Sequence, residues 1–221
     1  MKYYPVFLRV AGRRCVVVGG GEVAERKVTS LRAADARVVV VSPLLSEALA
    51  VLAAQGAIEH VARPYRPGDL TGAFLAYAAT DDDALQREIA REAEAAGIPL
   101  NVVDRPRWCS FIVPSILARG DLTVAVSTGG GSPALARRVR EDIGRALGPE
   151  YERALDVLSR LRRHLQERPL SSAERRRILT GLAASDLLDR LRLPDPAAVD
   201  RLLAQHAGGD VSLATLGSDL R

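Results

Sequence analysis

The chain has 221 residues, 48% hydrophobic and 26% charged, with a net charge of +4 and a pI of about 9.4, enough apolar content for a core in one large domain or two small ones. No apolar run approaches the ~20 residues of a membrane span, and Met1 to Pro5 lack the apolar heart of a signal peptide, so a cytoplasmic protein without membrane partners is expected. Only Lys2 and Lys27 are lysines, and the arginines are interleaved with acids, as in Glu88-Ile89-Ala90-Arg91-Glu92; this is the pattern of a solvated face and predicts no nucleic-acid partner.

Arg14-Cys15-Val16-Val17-Val18, closed by Gly19, predicts a buried strand, and Val23, Ala24, Lys27, Val28 and Leu31 then recur at helical spacing. Residues 36–41 predict a second strand ended by Ser42-Pro43, 44–54 a helix, 58–61 a third strand and 73–78 a fourth. Residues 81–96 form an amphipathic helix with Asp81 or Asp82 as N-cap and Gly97 as its stop. A fifth strand is expected over 99–103 and a sixth over 122–126. Alternation of this kind is the signature of a doubly wound α/β fold with a parallel sheet. It breaks between 104 and 115, where a loop carries Pro106, the single Trp108, Arg105 and Arg107. Loops at the carboxyl ends of parallel strands are where such folds place their chemistry. Ser132-Pro133 opens another helix, with Ser as cap and Pro in the first turn. From Tyr151 the chain reads as helical, with Tyr151, Leu155, Leu158, Leu161 and Leu165 on one face and a capping box from Ser171 to Glu174. Pro194 to Pro196 break the pattern, a short helix is expected over 197–206, and residues 210–221 read as a frayed end.

Three motifs carry chemistry. Gly19, Gly21 and Ala24 fit G-x-G-x-x-A between a strand and a helix, the context in which that pattern binds a dinucleotide. Gly19 permits the tight turn, Gly21 leaves room for a pyrophosphate and Ala24 lets the helix approach the strand. The helix N-terminus then holds the phosphate charge. The second strand ends at Ser42-Pro43, with neither the acid that would bind a ribose hydroxyl nor an arginine for a 2′-phosphate, so this position does not choose between NAD and NADP. The second motif is Asn101-Val102-Val103-Asp104, which puts a carboxylate at a strand end; Asp104 reads equally as a catalytic acid or as the cap of the next turn. The third is Ser127 to Pro133, a glycine-rich loop into a helix bearing Arg137, Arg138 and Arg140, which serves either an anion or merely the connection. Cys15 and Cys109 lack metal or disulfide spacing, so reduced thiols are expected, Cys15 in the core. His60, His164 and His206 are scattered, and no metal site is assigned.

In this order and spacing, the motifs resemble the precorrin-2 dehydrogenase family, the stand-alone form of the siroheme synthase N-terminal module. The matching stretches are Pro5 to Leu8, Val16 to Lys27, Asn101 to Asp104, Phe111 to Ser115 and Ala125 to Pro133, covering about residues 1–150. The resemblance implies a Rossmann-type parallel sheet with NAD bound over 1–112, a dimerisation and active-site segment over 113–148 and an all-helical domain over 149–221. It implies a homodimer that oxidises precorrin-2 to sirohydrochlorin, with Fe²⁺ insertion a further activity of some members. Beside Gly19, Gly21 and Ala24, it places Glu22 and Val23 at the cofactor pyrophosphate, and Pro43 and Leu44 on the adenosine side. It gives Asp104 the catalytic role and puts Thr128 in the active-site loop; Gly129, Ser132 and Arg137 of the third motif are then expected as further contacts to a tetrapyrrole polycarboxylate. Trp108 and Phe111 are expected as an apolar floor beside Asp104, or as core. At this length, the methyltransferase domain of the fused enzyme is not expected. Two other readings remain: a non-enzymatic dimeric module sensing a nicotinamide dinucleotide, and a dehydrogenase of the same fold for another polycarboxylate.

Overall fold

A computed structural model describes residues 2–193 and 195–219. Met1 of the amino-terminal reading, Pro194 of the expected break and positions 220–221 of the carboxyl end lie outside them. The chain forms two compact units, divided between Val113 and Pro114.

The first unit is a five-stranded parallel sheet in the order β3-β2-β1-β4-β5. Its strands are β1 (Arg14–Val18), β2 (Arg37–Val41), β3 (Glu59–Val61), β4 (Leu75–Ala78) and β5 (Leu100–Val102). Helices α1 (Glu22–Arg32), α2 (Glu47–Ala54) and α3 (Asp83–Ala95) connect them. Alternate residues of each strand enter different cores. Cys15, Val17, Val38, Val40 and Tyr77 pack with Ala24, Val28, Leu31 and Leu49 of α1 and α2. Val16, Val18, Val39, Val41 and Ala78 pack with Ile89 and Ala93 of α3. Both faces are covered, which is why β1, β2 and β4 read as unbroken apolar runs. Cys15 is fully buried, as a small core residue. The order reverses at β1, so β1 and β4 flank the point where chain connections leave in opposite directions and a crevice opens.

The second unit begins with an antiparallel hairpin, β6 (Ser115–Arg119) and β7 (Leu122–Val126), turned at Gly120 with φ 54°. This corrects the expectation of a sixth parallel strand: residues 122–126 pair antiparallel with 115–119, for which the sequence suggested no strand. Exposed and half-buried residues alternate along β7, as in a strand covered on one face only. Helix α4 (Pro133–Ala146) packs on the hairpin, and α5 (Glu150–Gln166), α6 (Ser172–Ala183), α7 (Leu187–Arg192), α8 (Pro196–Ala207) and α9 (Leu213–Leu216) follow.

The core of these helices centres on Ala154, Val157, Leu161 and Leu165 of α5. The expected stripe was therefore rotated, because Tyr151 and Leu155 are only half-buried at its margin. The capping box on Ser171 and Glu174 is present. Pro196 is the first residue of α8, capped by Asp195, rather than part of a break. Residues 210–219 are not frayed: Ser212 and Thr215 form a capping box, and Val211, Leu213 and Leu216 are buried in the helical core. No helix among the described residues is long and apolar enough to cross a membrane.

Candidate functional site

The crevice of the first unit is built around the turn from β1 to α1. Gly19 adopts φ +117° and its N–H donates to Val41 O at 3.0 Å, while a β-carbon there would collide with the Ala79 carbonyl. Gly20 is equally constrained: a β-carbon would run into the Leu44 carbonyl and lie 2.8 Å from Ser42 Oγ. Its own carbonyl accepts from Ser46 N–H at 2.7 Å, and Ser42 Oγ donates to Leu44 O at 2.6 Å. The loop carrying Pro43 and Leu44 is thus clamped against the glycine turn. Leu44 remains 80% exposed.

Gly21 differs from both neighbours. It is the N-cap of α1, with φ −89° and ψ −172°, no side chain caps the helix, and nothing stands within 4 Å of where a β-carbon would be. Bare main-chain N–H groups at a helix start, with open space above them, form an anion cradle that any side chain would fill. Ala24 is fully buried against the sheet, and Glu22 opens the helix.

Beside this cradle a pocket of about 100 Å³ is lined by Val23, Ala79, Thr80, Asp81, Gln86, Val103, Asp104 and Arg105. It lies at the carboxyl ends of β4 and β5, and it brings Val23 and Asp104 together. Asp104 is one of two non-glycine residues with positive φ among the described residues, at 58°. Such backbone costs on the order of 1–3 kcal/mol and concentrates at functional sites. Its carboxylate is exposed and makes no hydrogen bond to another described residue, so it does not cap the following turn. The neighbouring Arg105 is committed elsewhere, its Nε donating to Asp83 at 2.9 Å. Two Arg partners, Arg87 and Arg105, hold the Asp83 carboxyl below its ordinary pKa.

The sequence reading missed three residues here. Gln86 is 4% exposed; its Nε2 donates to Thr80 O at 2.5 Å, which fixes Oε1 as a buried acceptor without a partner among the described residues. The signal was a polar side chain on the helical face of Ile89 and Ala93. Gly20 occupies a variable place in the glycine pattern, yet its approach to Leu44 requires glycine. Lys27 projects from the second turn of α1 towards β4, its Nζ 5.4 Å from the Tyr77 ring centroid.

Trp108 and Phe111 do not form one floor. Trp108, in a short 3-10 turn over Pro106–Trp108, packs on the α3 side of the sheet with the Arg107 guanidinium 4.5 Å above its ring. Phe111 packs on the α1 side, edge-on to Tyr77 at 5.5 Å. Asn101 Nδ2 fastens that second loop by donating to Phe111 O at 3.0 Å.

In the second unit, the loop before α4 is largely self-satisfied. Thr128 Oγ1 donates to Ser132 O and accepts from Ser132 N–H, both at 3.0 Å, and Ser132 Oγ caps Leu135 N–H. Gly129, at φ 64°, donates to Ser127 Oγ, and Gly131 to Thr128 O. Arg137 pairs with Glu141, Arg138 with Asp142 and Arg140 with Glu141. Arg137 is 76% exposed, and a pair so exposed is worth only about 0.2–1 kcal/mol, readily exchanged for another anion. Among the described residues, no group of three or more His, Cys, Asp or Glu could hold a metal ion.

A family model described as putative NAD(P)-binding matches residues 6–115, and one described as sirohaem biosynthesis protein central matches 119–146. The siroheme synthase of Methylobacillus flagellatus is 46% identical over 178 residues, covering 80% of this chain and 38% of that protein. That of Pseudomonas aeruginosa strain LESB58 is 41% identical over 216 residues, covering 97% of this chain and 46% of that protein. The chain therefore spans about half the length of the curated relatives it matches or less. A solved structure titled SirC, precorrin-2 dehydrogenase, shares the fold, with a TM-score of 0.75 at 24% identity, over 92% of this chain and 98% of that one.

Proposed function

We propose, from the premise that the chain belongs to the family of precorrin-2 dehydrogenases and siroheme synthase N-terminal modules, that it is an NAD-dependent dehydrogenase oxidising precorrin-2 to sirohydrochlorin. The observation that carries this reading is the uncapped N-terminus of α1 at Gly21, open to an anion and adjoining the pocket that holds Val23 and Asp104.

The residues present fit the cofactor. Gly19, Gly21, Glu22, Val23 and Ala24 hold its pyrophosphate against the α1 terminus, and the clamped Pro43–Leu44 loop lies along its adenosine half. When bound, NAD⁺ supplies the hydride acceptor. Asp104 takes the proton: its carboxylate is exposed, makes no hydrogen bond among the described residues, and is oriented by left-handed backbone. Thr128, Gly129, Ser132 and Arg137 are assigned to the tetrapyrrole, Arg137 by exchanging its weak pair with Glu141 for a substrate carboxylate. Fe²⁺ insertion belongs to the same reading, with Asp104 accepting pyrrole protons and the iron entering as substrate.

Residues 113–148 are assigned to dimerisation and the active site, and 149–221 to a helical domain. Ile116, Leu135 and Val139, on β6 and α4, are exposed apolar residues suited to a homodimer contact. The free thiols Cys15 and Cys109 suit a reducing cytoplasm.

Anaerobic incubation of the purified protein with precorrin-2 and NAD⁺ tests the reading. NADH and the sirohydrochlorin spectrum should appear together. Tight NAD⁺ binding without turnover would instead identify a sensing module. Substituting NADP⁺ tests the cofactor choice, and Fe²⁺ with sirohydrochlorin tests chelation.

A further inference from the structure

Lys27 is half-buried on α1, over the ring of Tyr77, which is itself 8% exposed. Burial and the neighbouring Arg26 push its ammonium pKa down, while Cys109 and Asp104 act in the opposite sense. Yet Lys27 makes no ion pair among the described residues. Arg87 of α3, Arg137 and Arg138 of α4, and Arg190 and Arg192 of α7 are, by comparison, each paired with a nearby carboxylate. A cation withdrawn from water without an anion is costly, and a bound anion would offset that cost.

Composition points the same way. Lysine is used at 2 of 31 basic positions, and the other, Lys2, is in the amino-terminal tail. Where arginine is the default cation, a compact ammonium over a buried ring stands out.

The pyrophosphate is not the missing anion. Lys27 lies six residues past Gly21, about 9 Å along the helix at ~1.5 Å per residue. It also faces β4, across β1 from the Pro43–Leu44 loop. Asp104 is among the charges that act on Lys27, and the two do not bond to each other.

We propose that Lys27 is a substrate-binding residue, its ammonium anchoring a carboxylate of the polyanionic substrate on the β4 side of the sheet. This rests on the dehydrogenase reading for the identity of the substrate, but the anchor itself is tested separately.

The test compares wild type, Lys27→Met and Lys27→Arg in three measurements: NAD⁺ affinity by calorimetry, steady-state kinetics with precorrin-2, and fluorescence-detected binding of uroporphyrin as a non-reacting polycarboxylate probe. Loss of one charge-assisted hydrogen bond predicts that Lys27→Met weakens uroporphyrin binding and raises KM about tenfold to hundredfold. NAD⁺ affinity should stay within about twofold, and the salt dependence of probe binding should become shallower. Lys27→Arg should recover part of the loss. Unchanged probe affinity in Lys27→Met would overturn the proposal, as would a defect confined to NAD⁺. If wild type binds uroporphyrin through Lys27 but does not oxidise precorrin-2, the dehydrogenase reading fails and the anchor stands.

Discussion

Gly20 and Gly21 are adjacent, yet substitution should damage different properties. Gly21 has an extended backbone that any residue can adopt, with empty space where its side chain would stand. Gly21→Val gains about 0.4–1 kcal/mol from a stiffer unfolded chain and loses a comparable amount as a poorer N-cap, so stability should be nearly unchanged. The valine side chain occupies the anion cradle, however. Displacing a pyrophosphate from one or two charge-assisted N–H bonds, each worth ~1.5–3 kcal/mol, weakens binding by roughly 2–4 kcal/mol, about 30- to 700-fold in Kd.

Gly20→Ala should do the reverse. Its methyl drives into the Leu44 carbonyl, and relieving that contact strains the 2.7 Å bond from Ser46 N–H to Gly20 O. Overpacking of about 1–3 kcal/mol plus a hydrogen bond of about 1 kcal/mol should lower the melting temperature of the first unit by roughly 10 °C or more. Calorimetric titration of NAD⁺ and thermal melting of both variants decide the matter. Retained NAD⁺ affinity in Gly21→Val, or a Gly20→Ala protein as stable as wild type, would refute this account of the turn.

Asp104→Asn should fold and bind NAD⁺ normally but lose most of its dehydrogenase rate; near-wild-type turnover would remove Asp104 from proton transfer. Leu216→Ala, in the last turn of a helix that buries its apolar face, should destabilise the second unit by about 2–4 kcal/mol in a denaturant melt, whereas a frayed terminus would give no change. Glu150 has its carboxyl pKa held below the ordinary value by its own backbone N–H and by the Arg192 guanidinium 3.0 Å away. A lowered folded-state pKa contributes stability above the unfolded pKa and loses it as pH falls through the folded one. Glu150→Gln should therefore be less stable than wild type at neutral pH, and the gap should close in acid; a gap constant with pH would contradict the assignment.

The local sequence determined the elements whose causes are local. Apolar runs set β1 and β2, Asp82, Ser132 and Ser171 set helix starts through side-chain caps, and the glycine turn announced an anion-binding helix. Each depends on residues a few positions apart, so periodicity and capping chemistry suffice to read it. Tertiary structure decided what touches what. Residues 122–126 have the apolar character of another parallel strand, but pair antiparallel with 115–119 because a two-residue turn at Gly120-Asp121 closes a hairpin, whereas a parallel neighbour needs a long crossover. Trp108 and Phe111 are three residues apart and enter opposite cores. The same non-local packing separates Gly20 from Gly21, sets Gln86 at the Asp104 pocket and lays Lys27 on Tyr77. Contacts between residues tens of positions apart in sequence are fixed only when the sheet and its helices close around a shared interior, and no short window of sequence contains them.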